Sequence, residues 1–203
     1  SAADFAARRA AGGIAPESTA ALGAHLAASA RALGRIAWGA LKIYSALLVL
    51  NVLNDDVFAT RGALVGHPRL WLWTAELYFH FYVIFSGWTD VSIGLGTMVG
   101  SVVAENFRQP WAATDVGDFW NRWHMTFGVW LRRYVYIPLG GNRRHVTWNI
   151  VVVFLVSGLW HVWGALKLLG LSSYPPPAWT GFVVWGLMNA AGVVVAHRWR
   201  RGT

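Results

Sequence analysis

Long apolar runs alternate along this chain with short polar stretches that carry arginine. Four runs, residues 36–53, 70–89, 146–166 and 179–196, are about long enough to cross ~30 Å of hydrocarbon as helices. Each holds at most one formal charge: Lys42 in the first, Glu76 in the second, none in the others. Lys42 lies near the start of its run, where a long side chain would snorkel. Residues 91–104 continue uncharged after Asp90 and contain Gly94, Gly96 and Gly100. That pattern predicts a second short or re-entrant helix that packs closely. Residues 1–30 are alanine-rich and interrupted at Pro16-Glu17-Ser18, which predicts a pair of surface helices. The expected division is a cytoplasmic or interfacial segment over 1–35 and a membrane domain over 36–203.

Residues 105–144 are polar, aromatic and basic instead. Within them, Trp120, Trp123, His124, Phe127, Trp130, Leu131 and Tyr134 follow the i, i+3, i+4, i+7 spacing of one helix face. The spacing predicts an amphipathic helix over 118–134. Asp118 in its first turn and Arg132 and Arg133 in its last suit the helix dipole. Such a helix would lie at the membrane interface or dip into the bundle. Pro138 then stops it, and Gly140-Gly141-Asn142 makes a turn. A glycine turn followed by Arg143 can hold a phosphate; on the residues alone a plain loop is the better reading. Pro175-Pro176-Pro177 forms a stiff turn before the last run.

Composition sharpens this picture. The chain is 56% hydrophobic and 13% charged, against about 25% charged in soluble domains. Mean hydropathy is +0.41. A disordered chain, a coiled coil and an ordinary soluble domain are excluded, and an all-α polytopic membrane helix bundle is predicted. The absence of cysteine removes disulfides, thiolate metal sites and cysteine nucleophiles. Net charge is +8, and 15 of the 17 basic residues are arginine. They fall in short clusters between apolar runs, so the charge reads as topology rather than nucleic-acid binding. Arg8, Arg9, Arg31 and Arg35 precede the first run. Arg108, Arg122, Arg132, Arg133, Arg143 and Arg144 lie centrally, and Arg198, Arg200 and Arg201 follow the last. The positive-inside rule places both ends and the central stretch in the cytoplasm, with four crossings. The bias to Ala, Gly, Val and Arg suggests a GC-rich bacterial genome, hence a bacterial inner membrane.

Three sets of residues carry candidate chemistry. His161 follows Ser157 by one helical turn inside an uncharged run, and ionisable groups within a membrane span are functional hypotheses by default. Histidine suits proton transfer near neutral pH; a hydrogen-bonded core histidine is the competing reading, and both stay open. His124 sits on the aromatic face of 118–134, where an aromatic-belt role on a membrane-surface helix is the favoured reading of the residues alone. Glu76 and His80 share a helix face, and a structural pair is favoured there over a proton relay. Seven of the 14 Trp lie within residues 111–163, the stretch that holds His124 and His161.

The run Phe119-Trp120-Asn121-Arg122-Trp123-His124 is followed by Trp130-Leu131-Arg132-Arg133-Tyr134-Val135-Tyr136-Ile137-Pro138-Leu139-Gly140-Gly141-Asn142-Arg143. Ser157-Gly158-Leu159-Trp160-His161 comes next. Upstream stand Phe85-Ser86-Gly87-Trp88-Thr89-Asp90, Ile93-Gly94-Leu95-Gly96, Glu105-Asn106-Phe107 and Pro110-Trp111. In this order the motifs resemble the membrane-bound O-acyltransferase (MBOAT) family, and most closely its bacterial polysaccharide branch of alginate O-acetyltransferase type. The resemblance covers about residues 70–190. It implies a multi-helix bundle around a pore, with an acyl thioester arriving from the cytoplasm and a hydroxyl as acceptor.

On that resemblance His161 is the catalytic residue and His124 its functional partner. Asn121, Arg122 and Trp123 of the first motif, with Ser157 and Trp160 of the second, are the candidate substrate-binding residues. The implied co-substrate is acetyl-CoA or an acyl carrier, with no bound cofactor and no metal site. The implied partners are an extracytoplasmic polysaccharide or an acyl-relay protein, and membrane lipids. The physical chemistry agrees: a hydroxyl attacks a thioester only when a base takes its proton, and a buried neutral His161 is such a base. A nearby donor such as Asn121 or Arg122 would orient the thioester or stabilise the oxyanion. The central arginines suit an anionic donor. Transfer of D-alanyl or another acyl group to a cell-wall polymer, and a non-catalytic membrane scaffold, are the alternatives. The chain departs from the family at Asn189, where relatives commonly carry histidine at or near that position. Its length suits about four spans, so the expectation is a core segment of a larger acyltransferase.

Overall fold

The computed structural model describes residues 19–60, 69–168 and 177–202. Most of the expected surface-helix pair of 1–30, and Pro175-Pro176, lie outside those residues. No strand occurs among the described residues. The chain forms two compact units, Ser1–Ala104 and Glu105–Thr203.

The first unit is a helical hairpin of α1 (Thr19–Thr60) and α2 (Arg69–Met98). Helix α1 runs unbroken across residue 35. Small residues at seven-residue spacing make the antiparallel contact: Ala32, Gly39 and Ala46 on α1, Gly87 and Gly94 on α2. A Cβ on Gly39 would lie 2.5 Å from the Gly87 carbonyl oxygen, and one on Gly87 would lie 2.8 Å from that of Gly39. The backbones touch because neither residue has a side chain, as in small-residue packing of membrane helices.

Asp90 is buried in this contact and binds Arg35 Nε at 3.0 Å and Lys42 Nζ at 2.7 Å. Lys42 therefore does not snorkel. A charge within a span is costly unless paired, and a carboxylate sits within reach of its ammonium. Nor do Glu76 and His80 pair: Glu76 is exposed, and His80 Nε2 is buried with no hydrogen-bond partner. The re-entrant helix expected over 91–104 is absent, since α2 continues to Met98 and the chain then turns.

The second unit holds α3 (Val116–Trp120), α4 (Met125–Leu131), α5 (Val146–Leu168) and α6 (Pro177–Gly202). A 3-10 turn at Pro110–Ala112 precedes α3, and a π-helical turn, Arg132–Tyr136, extends α4. Helices α5 and α6 pack antiparallel with their backbones nearly touching. A Cβ on Gly158 would meet the Phe182 carbonyl oxygen at 2.8 Å, and one on Gly186 would meet that of Phe154 at 2.9 Å. Ile150, Phe154 and Ala190 form the core beside them, covered by Trp120, Tyr136 and valines of both helices. The predicted glycine turn is present, with φ of 110° at Gly140 and 54° at Gly141. Asn149, 1% exposed, holds it: its Nδ2 donates to the carbonyls of Gly141 at 2.9 Å and Arg144 at 2.7 Å.

Leu22–Val49, Val146–Trp163 and Gly181–Arg200 are long and apolar enough to cross a membrane. These are three among the described residues, against four expected crossings. Helix α2 is not one of them. Glu76, His80 and Asp90, with the polar-edged Tyr78, Tyr82 and Trp88, lower its hydropathy. The molecule is an all-α membrane protein.

Substituting Gly158 by alanine is expected to lower stability by roughly 1–3 kcal/mol, because the new methyl meets backbone. Gly181→Ala, where a Cβ meets nothing within 4 Å, is expected to be neutral or slightly stabilising. Thermal unfolding in detergent compares the two, and equal behaviour would contradict the close helix approach.

Candidate functional site

Helix α3 is short because its ends are fixed on both sides. Asp115 caps it, accepting from Asp118 N at 2.9 Å, while Asp118 accepts from Thr114 N at 3.1 Å. The Arg122 side chain beside Asp118 holds its carboxyl below the usual range, and Arg200 of α6 does the same for Asp115. After Trp120 the chain turns instead of continuing helical. Arg108 N donates to Arg122 O, and Met125 N donates to Asn106 O, both at 3.0 Å. Thr126 N donates to Asn106 Oδ1 at 3.3 Å. A continuous helix would use those groups itself. The single helix expected over 118–134 is thus two helices, divided by hydrogen bonds from residues 106–108.

His124 stands at the break with φ 46° and ψ 51°, in the left-handed region. A non-glycine residue there costs roughly 1–3 kcal/mol and persists only when its surroundings impose it. The bonds from 106–108 impose it here. The turn sets the His124 ring against Phe127 at the start of α4, stacked with centroids 5.1 Å apart. The edge contact of Phe127 with His161 on α5 spans 5.9 Å. Phe127 also packs on Trp130 at 5.9 Å and Trp160 at 5.8 Å. His161 rests on Trp185 of α6 at 5.7 Å. One phenyl ring therefore joins both candidate histidines.

Both imidazoles have one nitrogen committed. His161 Nδ1 lies 2.7 Å from the carbonyl oxygen of Ser157. A carbonyl only accepts, so Nδ1 carries the proton and Nε2 is the basic atom. His124 Nδ1 lies 3.2 Å from Asn106 Oδ1. Burial holds His124 well below the ordinary imidazole range, at about 4, and His161 adds in the same direction. Among the described residues no three His, Asp or Glu side chains form a metal-binding cluster.

The structure brings together His124, His161 and Trp160 around Phe127, with the Ser157 carbonyl behind His161. Ser157 is buried, and its bond to His161 comes from the backbone, not the hydroxyl. Trp123 is buried between Phe107 at 5.0 Å and Phe119 at 5.6 Å. Arg122 pairs with Asp118 at 2.9 Å. Asn121 is exposed in the turn, its N–H on the carbonyls of Gly117 and Asp118. Asn189 accepts from Trp120 Nε1 at 3.2 Å, tying α3 to α6. Phe127, which the helical spacing puts on the aromatic face, and Asn106, whose side chain meets His124 and Thr126, join the site beyond the residues expected from the sequence. The only signal for Asn106 was its place in a family-like motif.

The family model described as "MBOAT, membrane-bound O-acyltransferase family" matches residues 16–173. The chain is 37% identical over 180 residues to a protein named "Probable alginate O-acetylase AlgI" from Pseudomonas fluorescens. That match covers 73% of this chain and 35% of that protein. It is 35% identical over 138 residues to "Peptidoglycan O-acetyltransferase" from Helicobacter pylori, covering 66% of this chain and 23% of the relative. It is 31% identical over 113 residues to "Teichoic acid D-alanyltransferase" from Bacillus subtilis, covering 50% and 28%. The chain spans about a third or less of the length of these curated relatives.

The lowered affinity of His124 for a proton makes a pH prediction. The unfolded histidine binds its proton near pH 6.5 and the folded one near 4. The stability involved is therefore present above pH 6.5 and is lost as pH falls towards 4. His124→Asn keeps a residue tolerant of the left-handed backbone and removes the titration. Its unfolding midpoint should fall less between pH 7 and 5 than that of the unaltered protein. Identical pH dependence of the two would contradict the burial of His124.

Proposed function

The chain belongs to the membrane-bound O-acyltransferase family, and on that premise we propose that the intact protein acetylates an envelope polysaccharide. The acetyl group comes from a cytoplasmic thioester, acetyl-CoA or an acyl carrier. The acceptor is an extracytoplasmic hydroxyl, reached directly or through an acyl-relay protein. The protein sits in a bacterial inner membrane with both ends of this chain cytoplasmic, which requires α2 to cross beside α1 as a fourth span; the membrane domain then begins within α1, upstream of residue 36.

The observation that carries this reading is the pairing of His124 and His161 across Phe127, each with Nδ1 held by an acceptor. His161 Nε2 takes the proton of the acceptor hydroxyl as its oxygen attacks the thioester carbonyl carbon. The carbon–sulfur bond then breaks, and the thiolate leaves with the proton returned from the imidazolium. His124, uncharged at neutral pH, offers a second proton acceptor to the bound substrates. Oxyanion stabilisation must then come from another donor, for which Asn121 and Arg122 on the preceding turn are the candidates. Trp123 supports that turn from within its buried position. Trp160, half exposed beside the histidine pair, and Ser157 complete the substrate side.

Acetyl is favoured over D-alanyl because relatives named for O-acetyl transfer are 35–41% identical and relatives named for D-alanyl transfer are 26–31% identical. His161→Ala in the intact protein should cut ester-linked acetyl on the envelope polymer by at least about a hundredfold, the scale of general-base catalysis. Unchanged acetyl content would refute the proposal. Loss of ester-linked D-alanine instead would replace it with the second acyl group.

A further inference from the structure

The hydrogen bonds around Asn106 show which atom of its amide faces His124. Thr126 N, a backbone group that can only donate, lies 3.3 Å from Asn106 Oδ1, and Thr126 Oγ1 donates to the same atom at 2.6 Å. That atom is therefore the amide oxygen. His124 Nδ1 meets it at 3.2 Å, so Nδ1 carries the ring proton and Nε2 carries the lone pair. The amide cannot turn over without placing its NH2 against a second donor. Asn106 is itself locked, since its own carbonyl accepts from Met125 N at 3.0 Å.

We infer that Asn106 is a positioning residue: it fixes the tautomer and ring orientation of His124 and so presents Nε2 as the basic atom. The inference rests on the functional reading of His124 given above, and it adds a residue that acts only through His124. A neutral amide at this position also has a specific consequence. It accepts the Nδ1 proton without drawing a second proton onto the ring, as a carboxylate would. The charged or titratable groups on the segments packed against His124 are few. They are His161 on α5, Glu105 and Arg108 beside Asn106, and Arg122 with its partner Asp118 before the turn. His161 is the one whose charge bears on His124. An amide at 106 keeps His124 uncharged and hydrogen-bonded at once.

Asn106→Asp separates positioning from scaffolding. The carboxylate matches the amide in shape and still accepts from all three donors, so the turn is kept. Asn106→Ala removes the acceptor. Both are compared with the unaltered intact protein, labelled with 15N-histidine in detergent, with His124 assigned by its loss in His124→Asn. The unaltered protein should show His124 as the Nδ1-protonated tautomer with a titration midpoint below pH 5. Asn106→Asp should raise that midpoint by at least one pH unit while the tautomer is kept. Asn106→Ala should give a mixture of tautomers and roughly ten- to a hundredfold slower acyl transfer, part of the usual general-base contribution. A His124 midpoint and tautomer unmoved in both variants would overturn the inference. If the titration moves as expected while transfer is unaffected in either variant, Asn106 does set the proton of His124. The functional reading of His124 is then what fails.

Discussion

Phe127 is the third residue of α4 and touches four other rings. Its face is stacked with His124 and its edge is turned to His161, while Trp130 and Trp160 close the remaining sides. A ring so enclosed has little freedom to move without displacing a neighbour, because interiors are packed like crystals. The position of His124, and of the ring it shares with His161, therefore depends on where α4 begins. That start is set by the left-handed turn at His124, which bonds from residues 106–108 hold in place. The strain of the turn is spent on bringing two side chains three residues apart onto one side of the chain.

The second histidine is placed by a different device. His161 hydrogen-bonds a carbonyl of its own helix, so its ring direction is fixed relative to α5. Helix α5 is in turn fixed against α6 by the approach at Gly158 and Gly186, where any side chain would strike backbone. Trp185 of α6 then backs the ring. Close packing thus becomes orientation, and orientation becomes a defined basic atom. In both histidines Nδ1 is the nitrogen that meets an acceptor, so Nε2 is the ring atom that carries the lone pair. Burial keeps the His124 atom unprotonated at neutral pH.

Much of the fold was legible in the sequence. The run 146–166 became α5, because an uncharged stretch of that length has no other stable form in a membrane. The aromatic spacing placed Trp120, Phe127 and Trp130 on packed faces. The pairing of His161 with Ser157 one turn earlier was legible too, although the backbone carbonyl, not the hydroxyl, makes the bond. The break at 121–124 was not legible. Periodicity reads neighbours along the chain, while the bonds that end α3 come from residues about 14 to 20 positions away. Asn106 was legible only as part of a motif for the same reason, since the donors its side chain meets lie 18 to 20 residues further on. Asn149 meets carbonyls only five and eight residues back, and there the path of the glycine turn, which periodicity does not describe, aims them at its amide. Lys42 misled for a related reason: its partner Asp90 lies 48 residues further on.

The central claim is that His124 and His161 share one site across Phe127, with ring centroids 5.1 and 5.9 Å from it. This chain contains no cysteine, so the claim can be read chemically. His124→Cys and His161→Cys are introduced together into the intact protein with any other cysteine removed, and treated with a short linker that reacts with two thiols. The account predicts a mass gain of one linker and the loss of both free thiols. Two linkers per molecule at every reagent concentration, each attached to a single thiol, would contradict it.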